Sequence, residues 1–279
     1  MRSQVEPVEI NQAFAWYSTR VSISVDLADR VALVTGGSQG IGAGIAATLV
    51  RAGANVVTCA RSAVEDPATG TTHVQCDVRD PEAVTAVVDG IVAERGRLDI
   101  LVNNAGGSPY ALAADASPRF VEKVLGLNLT APLLVAQAAN AVMQRQGSGA
   151  IVNISSVSAL RPSPGTAAYG AAKAGVDSLT RSLAVEWGPK VRVNAVDVGL
   201  CRTDQTADHY GGDAAVRAIE DTIPLGRMAD PAEIGQVVAF LASDLASYVS
   251  GATVECHGGG EPPAFLVAQN LHVAQKENS

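Results

Sequence analysis

The sequence has few aromatic residues and lacks any basic run, and each absence argues against a class of protein. Aromatics make up 4% of the 279 residues, while Gly and Ala are abundant, a composition that suits helices packed closely on a sheet better than a β-sandwich. The net charge is −8 and no stretch concentrates Lys or Arg, so a nucleic-acid or anionic-membrane surface is not indicated. With 47% hydrophobic residues, the chain can form one large domain with a full core, although its length also permits two.

The cysteine pattern and the absence of long apolar runs bear on location. Cys59, Cys76, Cys201 and Cys256 are far apart, with no Cys-x-x-Cys pair and no His/Cys cluster, which favours free thiols in a reducing compartment over disulfides or a metal site. No segment approaches 18 uninterrupted apolar residues, and residues 1–20 lack the apolar core of a signal peptide. We therefore expect a cytoplasmic, soluble protein with no metal, nucleic-acid or membrane partner.

Short apolar runs alternate with longer segments of helical periodicity over most of the chain. The predicted strands are 31–35, 55–60, 73–77, 99–104, 150–156, 191–197 and 252–257, and the predicted helices are 40–52, 81–95, 118–146, 166–188 and 231–243. Strands that are apolar along their whole length predict a parallel sheet covered by helices on both faces. The fold class is therefore α/β, a single doubly wound domain.

Two end segments fall outside this repeat. Residues 1–25 are predicted to be an extension, residues 26–260 the domain, and residues 261–279 a tail that is apolar after a Pro-Pro break. The tail either covers another subunit or folds back on its own core.

A glycine-rich segment, TGGSQGIGAGIA, follows the first strand. Glycines at its turn let the backbone turn tightly, approach a ligand and enter a helix packed on the sheet, and the N-terminus of that helix offers free N–H groups to a pyrophosphate. The segment could be only a turn, but its place between a strand and a helix predicts dinucleotide binding. The predicted contacts are Gly36, Ser38, Gln39, Gly40, Ile41 and Gly42.

Cofactor choice depends on the end of the second strand, which reads CARS. An acid there would bind both ribose hydroxyls and repel a 2′-phosphate, whereas Arg61 favours the phosphate through charge-assisted hydrogen bonds. We predict NADP(H), with Arg61 and Ser62 as contacts. NAD(H) is the alternative, in which Arg61 only stacks on adenine or points to water.

Two further segments are predicted to border the dinucleotide. Asp77, next to Val78, follows the third strand and is placed to accept a hydrogen bond from the adenine amino group. The fourth strand ends in NNAG, where Asn104, Ala105 and Gly106 can border the cofactor or form a purely structural turn.

Four polar residues are candidates for chemistry. Tyr169 and Lys173 lie four apart in YGAAK, on one face of a predicted helix, where a nearby cation can lower the pKa of the phenol; a half-buried tyrosine beside a snorkelling lysine is the alternative. Ser156 ends the fifth strand, where ligands gather in open α/β sheets. Asn128 lies inside a predicted helix, which asparagine does not favour.

Together these motifs resemble the short-chain dehydrogenase/reductase family, in particular its ketoacyl-reductase-like branch. The resemblance covers roughly residues 26–260 and rests on TGGSQGIG, Asp77, NNAG, Asn128, Ser156, YGAAK and a closing GGG, in this order. It implies a Rossmann-type domain with strand order 3-2-1-4-5-6-7, usually assembled as a homotetramer.

The resemblance also implies a reaction, the interconversion of a carbonyl and a secondary alcohol by hydride transfer with NAD(P)(H). Tyr169 is then the general acid in reduction and the base in oxidation, and Lys173 lowers the pKa of Tyr169 and binds the nicotinamide ribose. Ser156 holds the substrate oxygen, and Asn128 anchors a water that links Lys173 to solvent.

Two other functions stay open. An NAD-dependent alcohol dehydrogenase is supported by Gln39, where many NADP-binding relatives carry a basic residue. A non-catalytic dinucleotide sensor would show damage to the Ser/Tyr/Lys set, and the sequence shows none.

The chain departs from the family after the sixth strand, where VDVGLCRT has Val198 in place of the usual proline. Gly199 and Thr203 remain, and the loop is expected to border the nicotinamide, with Thr203 near its carboxamide or a phosphate. Residues 200–226 are predicted to select the substrate, with a Gly-Gly pair as a possible hinge. The candidate substrate contacts are Ser156, Ser158, Tyr169 and Leu200, with His209 and Tyr210 either in contact or solvent-exposed; an acyl thioester, a steroid-like ketone and a sugar polyol all remain open.

Overall fold

The computed structural model describes residues 24–64, 67–204, 206 and 210–260. Within them, parallel strands form a seven-stranded sheet in the order β3-β2-β1-β4-β5-β6-β7, which confirms the predicted fold class and strand order. The strands are β1 (Val31–Thr35), β2 (Asn55–Ala60), β3 (Thr71–Gln75), β4 (Ile100–Asn103), β5 (Gly149–Ser156), β6 (Val191–Val198) and β7 (Thr253–Cys256). Of these, β3 begins and ends earlier than the predicted strand at 73–77, because the polar Thr71 and Thr72 pair with β2.

Helices connect the strands, and two of them differ from the prediction. They are α1 (Gly40–Arg51), α2 (Pro81–Arg95), α3 (Pro118–Leu125), α4 (Ala131–Gln146), α5 (Ala167–Trp187), α6 (Asp213–Glu220) and α7 (Pro231–Ala242). The predicted helix at 118–146 is interrupted by a π-helical turn, Gly126–Thr130. Helix α6 was not predicted; it lies in the segment 200–226 and buries Val216 against Ile223 and Met228.

The core has two layers, one on each face of the sheet. Along β1, Val31 and Leu33 face a cluster that includes α2, α4 and α5, whereas Ala32 and Val34 face a second cluster with α1 and α7. Alternate side chains of the same strand are therefore buried on opposite faces, as a doubly wound sheet requires.

The predicted end segments fall almost wholly outside the described residues. Of the extension at 1–25, only residues 24 and 25 are described, and Val25 packs against the core on the α1 face. The tail at 261–279 lies outside them entirely.

One helical stretch of the described chain, Pro118–Gln146, is long and apolar enough to cross a membrane by length and composition. The core helix of a soluble protein passes the same test. Here the α4 part buries Val135, Val142 and Met143 against the sheet.

Candidate functional site

A cleft of about 490 Å³ opens where the central strands end. It brings together most residues that the sequence singled out, from the glycine-rich turn to the Tyr-Lys pair. The predicted residues that line it are Gly36, Ser38, Gln39, Gly40, Ile41, Gly42, Arg61, Asp77, Val78, Asn104, Ala105, Gly106, Ser156, Tyr169, Lys173, Gly199 and Thr203. Ligands in open α/β sheets bind at this end of the strands.

Four predicted residues are not in the lining, and several unpredicted ones are. Ser62, Asn128, Ser158 and Leu200 lie outside it. The unpredicted lining residues are Cys59, Ala60, Cys76, Gly107, Leu127, Ile154, Ser155, Val198 and Asp204. Most of them are sequence neighbours of a predicted residue, and that proximity was the available signal.

The glycine-rich turn is shaped to receive an anion. Gly36 and Gly40 have φ of +63° and +54°, which L side chains rarely adopt, and a Cβ at Gly42 would lie 2.1 Å from the Gly36 carbonyl oxygen. Helix α1 begins without a side-chain cap on Gln39 and without an acid in its first turn. Its first N–H groups are thus directed at the cleft and fit the pyrophosphate of a dinucleotide.

Asn104 fixes this turn from the neighbouring strand. Its Nδ2 donates to the carbonyl oxygens of Thr35 at 2.9 Å and Gly36 at 3.1 Å. The Thr35 hydroxyl oxygen in turn accepts from the backbone N–H groups of Asn104 and Ala105, each at 3.0 Å. The end of β4 and the end of β1 are therefore joined at the centre of the cleft.

The end of the cleft at β2 and β3 carries the predicted adenosine contacts. Arg61 lines it, and Asp77 is held by Arg79, whose Nε and Nη2 donate to the carboxylate at 2.9 and 2.5 Å. This hydrogen-bonded ion pair lowers the pKa of Asp77 to about 2. Asp77 is thus an ionised acceptor, but both of its oxygens already bind a cation. Ser62 presents its carbonyl oxygen to His73 instead, 3.1 Å from Nε2.

At the other end of the cleft, α5 and β5 bring the candidate catalytic residues together. The Lys173 Nζ lies 5.5 Å from the centre of the Tyr169 ring and donates to the Ile154 carbonyl oxygen at 2.7 Å. The Ser156 hydroxyl is within hydrogen-bonding range of the Tyr169 phenol, and its oxygen accepts from the Ser158 N–H at 3.2 Å.

The effect of Lys173 on the pKa of Tyr169 stays a prediction, because burial has the larger influence on this phenol. Burial raises the pKa of Tyr169, and the hydrogen bond with Ser156 only partly opposes this rise. Lys173 is itself 3% exposed, burial lowers the pKa of its ammonium to about 8, and the ammonium donates to the Ile154 carbonyl oxygen rather than to the phenol. Tyr169 therefore keeps its proton at neutral pH.

Asn128 lies behind the cleft and binds the backbone of a loop that lines it. It lies in the π-helical turn, is fully buried, and exchanges two hydrogen bonds with Gly107, accepting from its N–H at 2.8 Å and donating to its carbonyl at 2.9 Å. A second donation reaches the Val124 carbonyl oxygen at 2.9 Å. The side chain thus holds the glycine loop after β4, and the relay water remains a prediction.

The loop after β6 is anchored in spite of the missing proline. Strand β6 continues through Val198, which pairs in register with Ser156 and Cys256, and the Gly199 N–H donates to the Cys256 carbonyl oxygen at 3.0 Å. Thr203 lies over the start of α1, since a Cβ at Gly40 would be 3.5 Å from its Cγ2. This position favours the predicted phosphate contact over the carboxamide contact.

A second cavity, of about 340 Å³, adjoins the first at Gly199. Its apolar walls are Val157, Leu160, Leu200 and Ile223, and its polar residues are Arg161, Thr222, Glu255 and His257. The predicted substrate contact Leu200 lies here, whereas the Ser158 hydroxyl accepts from Ser163 at 3.2 Å. Tyr210 packs against the small cluster around Val216, and His209 lies outside the described residues. Among the described residues, no group of three or more His, Cys, Asp or Glu could hold a metal ion.

Known proteins share this architecture and much of this sequence. A family model described as enoyl-(acyl carrier protein) reductase matches residues 36–261. The chain is 37% identical to a 3alpha-hydroxysteroid dehydrogenase from Mediterraneibacter gnavus, over 83% of this chain and 97% of that protein. It is 33% identical to dehydrogenase/reductase SDR family member 4 from Homo sapiens, over 90% and 95%. The ligand-free structure of an aldohexose dehydrogenase from Thermoplasma acidophilum superimposes with a TM-score of 0.80 at 33% identity, over 84% of this chain and 95% of the other.

Proposed function

The chain belongs to the short-chain dehydrogenase/reductase family and is an oxidoreductase of alcohol and carbonyl groups, and we propose that it works as an NADPH-dependent carbonyl reductase. The observation that carries this proposal is the shared cleft: the anion-binding turn at Gly36–Gly42 and the Ser156, Tyr169 and Lys173 side chains face the same space. A sensor would need only the first of these two parts.

Three side chains of the cleft take part in the proton transfer. A bound nicotinamide supplies the hydride, which no protein side chain can deliver. Tyr169, whose raised pKa keeps its proton, donates that proton to the substrate oxygen, and Ser156 holds the same oxygen. The Lys173 ammonium compensates the phenolate that remains.

Reduction fits this arrangement better than oxidation. A phenol that is protonated at neutral pH is ready to act as an acid, whereas oxidation of an alcohol needs it ionised first. The raised pKa of Tyr169 therefore fits the acid role in reduction, while the direction of net turnover follows from the concentrations of substrate and of the two cofactor forms.

Arg61 supports NADP(H) over NAD(H). It lines the cleft at the end of β2. Positions 60 and 61 are Ala and Arg, so neither offers a carboxylate to bind the ribose hydroxyls. The Arg61 guanidinium fits a 2′-phosphate.

The substrate class first to be tested is a cyclic or steroid-like ketone. The second cavity adjoins the cleft and has four aliphatic side chains in its wall, Val157, Leu160, Leu200 and Ile223, which suit an apolar ring system. The similar protein from Mediterraneibacter gnavus is named for a hydroxysteroid.

A homotetramer in the cytoplasm completes the proposal. Val185 on α5 and Tyr248 before β7 are large apolar residues with 83% and 102% of their surface exposed, and both could be covered in an assembly. The thiols of Cys59, Cys76, Cys201 and Cys256 are free, which suits a reducing compartment.

The test is to titrate the purified protein with NADPH and NADH by fluorescence, then to follow NADPH oxidation with cyclic ketones, steroid ketones and ketoacyl thioesters. Tighter binding of NADPH with turnover of any ketone supports the proposal. Binding without turnover across the panel would favour a sensor, and tighter binding of NADH with alcohol oxidation would favour an NAD-dependent dehydrogenase. The variant Tyr169→Phe is the negative control for turnover.

A further inference from the structure

Two buried carboxyl groups lie behind the cleft, and the reaction described above does not use them. Asp177, on α5, is 5% exposed, and Asp197, on β6, is 0% exposed. Within the part of the chain that the structure describes, both oxygens of Asp197 and Oδ1 of Asp177 lack a hydrogen-bond partner. Buried carboxylates without partners are unfavourable unless a nearby positive charge compensates them.

The fold brings both acids to one point beside Lys173. Asp177 follows Lys173 by one turn of α5, and Asp197 pairs in register with Ser155 on the adjacent strand. The Ser155 hydroxyl donates to the Lys173 carbonyl oxygen at 3.3 Å, and it also lies close enough to both acids to lower the pKa of each. Because one hydroxyl has one proton, Ser155 cannot satisfy both carboxyl groups.

The negative charges of Asp177 and Asp197 act on the ammonium of Lys173. The residue is 3% exposed, and its ammonium donates to the neutral carbonyl oxygen of Ile154 at 2.7 Å. Burial lowers the pKa of Lys173 to about 8, and the negative charges of Asp177 and Asp197 oppose this decrease. Without them the pKa of Lys173 would fall further.

We propose that Asp177 and Asp197 form a buried acidic pair that acts as a positioning pair for Lys173, keeping its ammonium charged where the carbonyl group is reduced. Neither acid lines the cleft, so the pair acts through Lys173. The part of the inference that concerns catalysis depends on the proposed function, whereas the part that concerns the charge of Lys173 does not.

Other charged groups also act on the pair. Glu255, in register with Asp197 on β7, raises the pKa of Asp197. Arg181, one turn beyond Asp177 on α5, lowers the pKa of Asp177. The effect of each acid on Lys173 is therefore measured in variants that leave both of these groups in place.

The first experiment measures the charge of Lys173 directly, in the full chain without cofactor. Lysine ¹³Cε NMR signals are followed from pH 6 to 11, and Lys173→Met identifies the signal among those of Lys123, Lys190 and Lys276. We expect the Lys173 titration to move at least about 0.5 pH unit lower in Asp197→Asn and in Asp177→Asn, because each loses a nearby negative charge. Glu186→Gln, an exposed acid on the same helix, is the matched control and leaves the titration unchanged.

The second experiment measures the effect on the reaction. The alkaline limb of the kcat/KM profile for ketone reduction should move to lower pH in the same two variants and stay in place in Glu186→Gln. A purely structural role would lower kcat/KM equally at every pH.

The outcomes separate the two proposals. An unmoved Lys173 titration in the folded variants overturns the acidic pair, whether or not the wild type is active. A moved titration with an unmoved pH profile overturns its role in catalysis, and a wild type that turns over no ketone overturns the proposed function alone. Should Asp197→Asn fail to fold, Asp177→Asn carries the same test from the other side of the pair.

Discussion

Tyr169 and Lys173 lie one turn apart on α5, with the ammonium 5.5 Å from the centre of the ring. The ammonium does not bind the phenol; it donates to the Ile154 carbonyl oxygen. The two groups therefore interact through space along one face of α5, and Tyr169 can carry or release its proton without losing a bond to Lys173.

Replacing Tyr169 with Phe should remove the proton donor and little else. We expect kcat/KM for ketone reduction to fall about 10³-fold or more, while the Kd for NADPH changes by less than about 3-fold. Steady-state kinetics and fluorescence titration measure the two effects. Tyr248→Phe, at a fully exposed tyrosine, serves as the control, and a Tyr169→Phe enzyme with substantial turnover would refute the assigned role.

Changing the end of β2 should exchange the cofactor preference. In Ala60→Asp/Arg61→Gln, the new acid accepts from the ribose hydroxyls and the lost guanidinium no longer binds a 2′-phosphate. We expect the ratio of kcat/KM for NADPH over NADH to fall at least about 100-fold, equivalent to about 2.7 kcal/mol. Arg119→Gln, at an exposed arginine on α3, should leave the ratio unchanged. The same ratio in the double variant and the wild type would sink the NADP(H) assignment.

Alanine at Gly42 should damage both binding and stability. Its Cβ would lie 2.1 Å from the Gly36 carbonyl oxygen and 2.4 Å from the Asn104 Nδ2, so the turn must open. We expect the free energy of unfolding to fall by about 1–3 kcal/mol. Urea unfolding and NADPH titration measure the two losses.

Gly90 provides the matched control for that substitution. It lies within α2, and a Cβ there would meet nothing within 4 Å. Gly90→Ala should raise the free energy of unfolding by about 0.5–1 kcal/mol and leave NADPH binding unchanged. Equal behaviour of the two alanine variants would contradict the close-packed turn.

The buried Asp197 should make stability depend on pH in the acidic range. Burial, with the charge of Asp177, raises the pKa of Asp197 from its ordinary value to about 6. The folded state therefore binds a proton more tightly than the unfolded state, and this contribution, on the order of 3 kcal/mol at most, is fully present below about pH 4 and lost as the pH rises through about 6.

The measurement is urea unfolding of the wild type and Asp197→Asn between pH 4 and 7. The difference in unfolding free energy between the two proteins should change over this range in favour of the variant as the pH rises. A constant difference across the range would show that Asp197 does not titrate there.

The elements that follow a repeated local pattern could be predicted from the sequence. The bounds of β3 and the presence of α6 could not, because contacts between distant segments determine them. The strand at 73–77 was placed late because Thr71 and Thr72 lack apolar character, yet they pair with β2. Helix α6 follows a Gly-Gly pair and is short, so its periodicity was weak; its formation depends on burying Val216 against Ile223 and Met228.

Within the site, residue identity was predictable but its electrostatics were not. The spacing of Tyr169 and Lys173 placed both at the cleft. Burial, which depends on the whole fold, raises the pKa of Tyr169, and nothing in the sequence indicated this; the lowering of that pKa by Lys173 stays a prediction. Asp197 appeared in the sequence only as the residue before Val198, and its relation to Asp177 and Lys173 needed the register of β5 and β6.

The hydrogen bonds from Asn104 to Thr35 and Gly36 affect how tightly the cofactor binds. They hold the glycine-rich turn in shape through the protein's own contacts, so its backbone has already lost its freedom on folding. Association then requires little further loss of conformational entropy, and more of the contact energy appears as affinity. Asn104→Ala should therefore weaken NADPH binding, because the turn regains the conformational freedom that folding had removed.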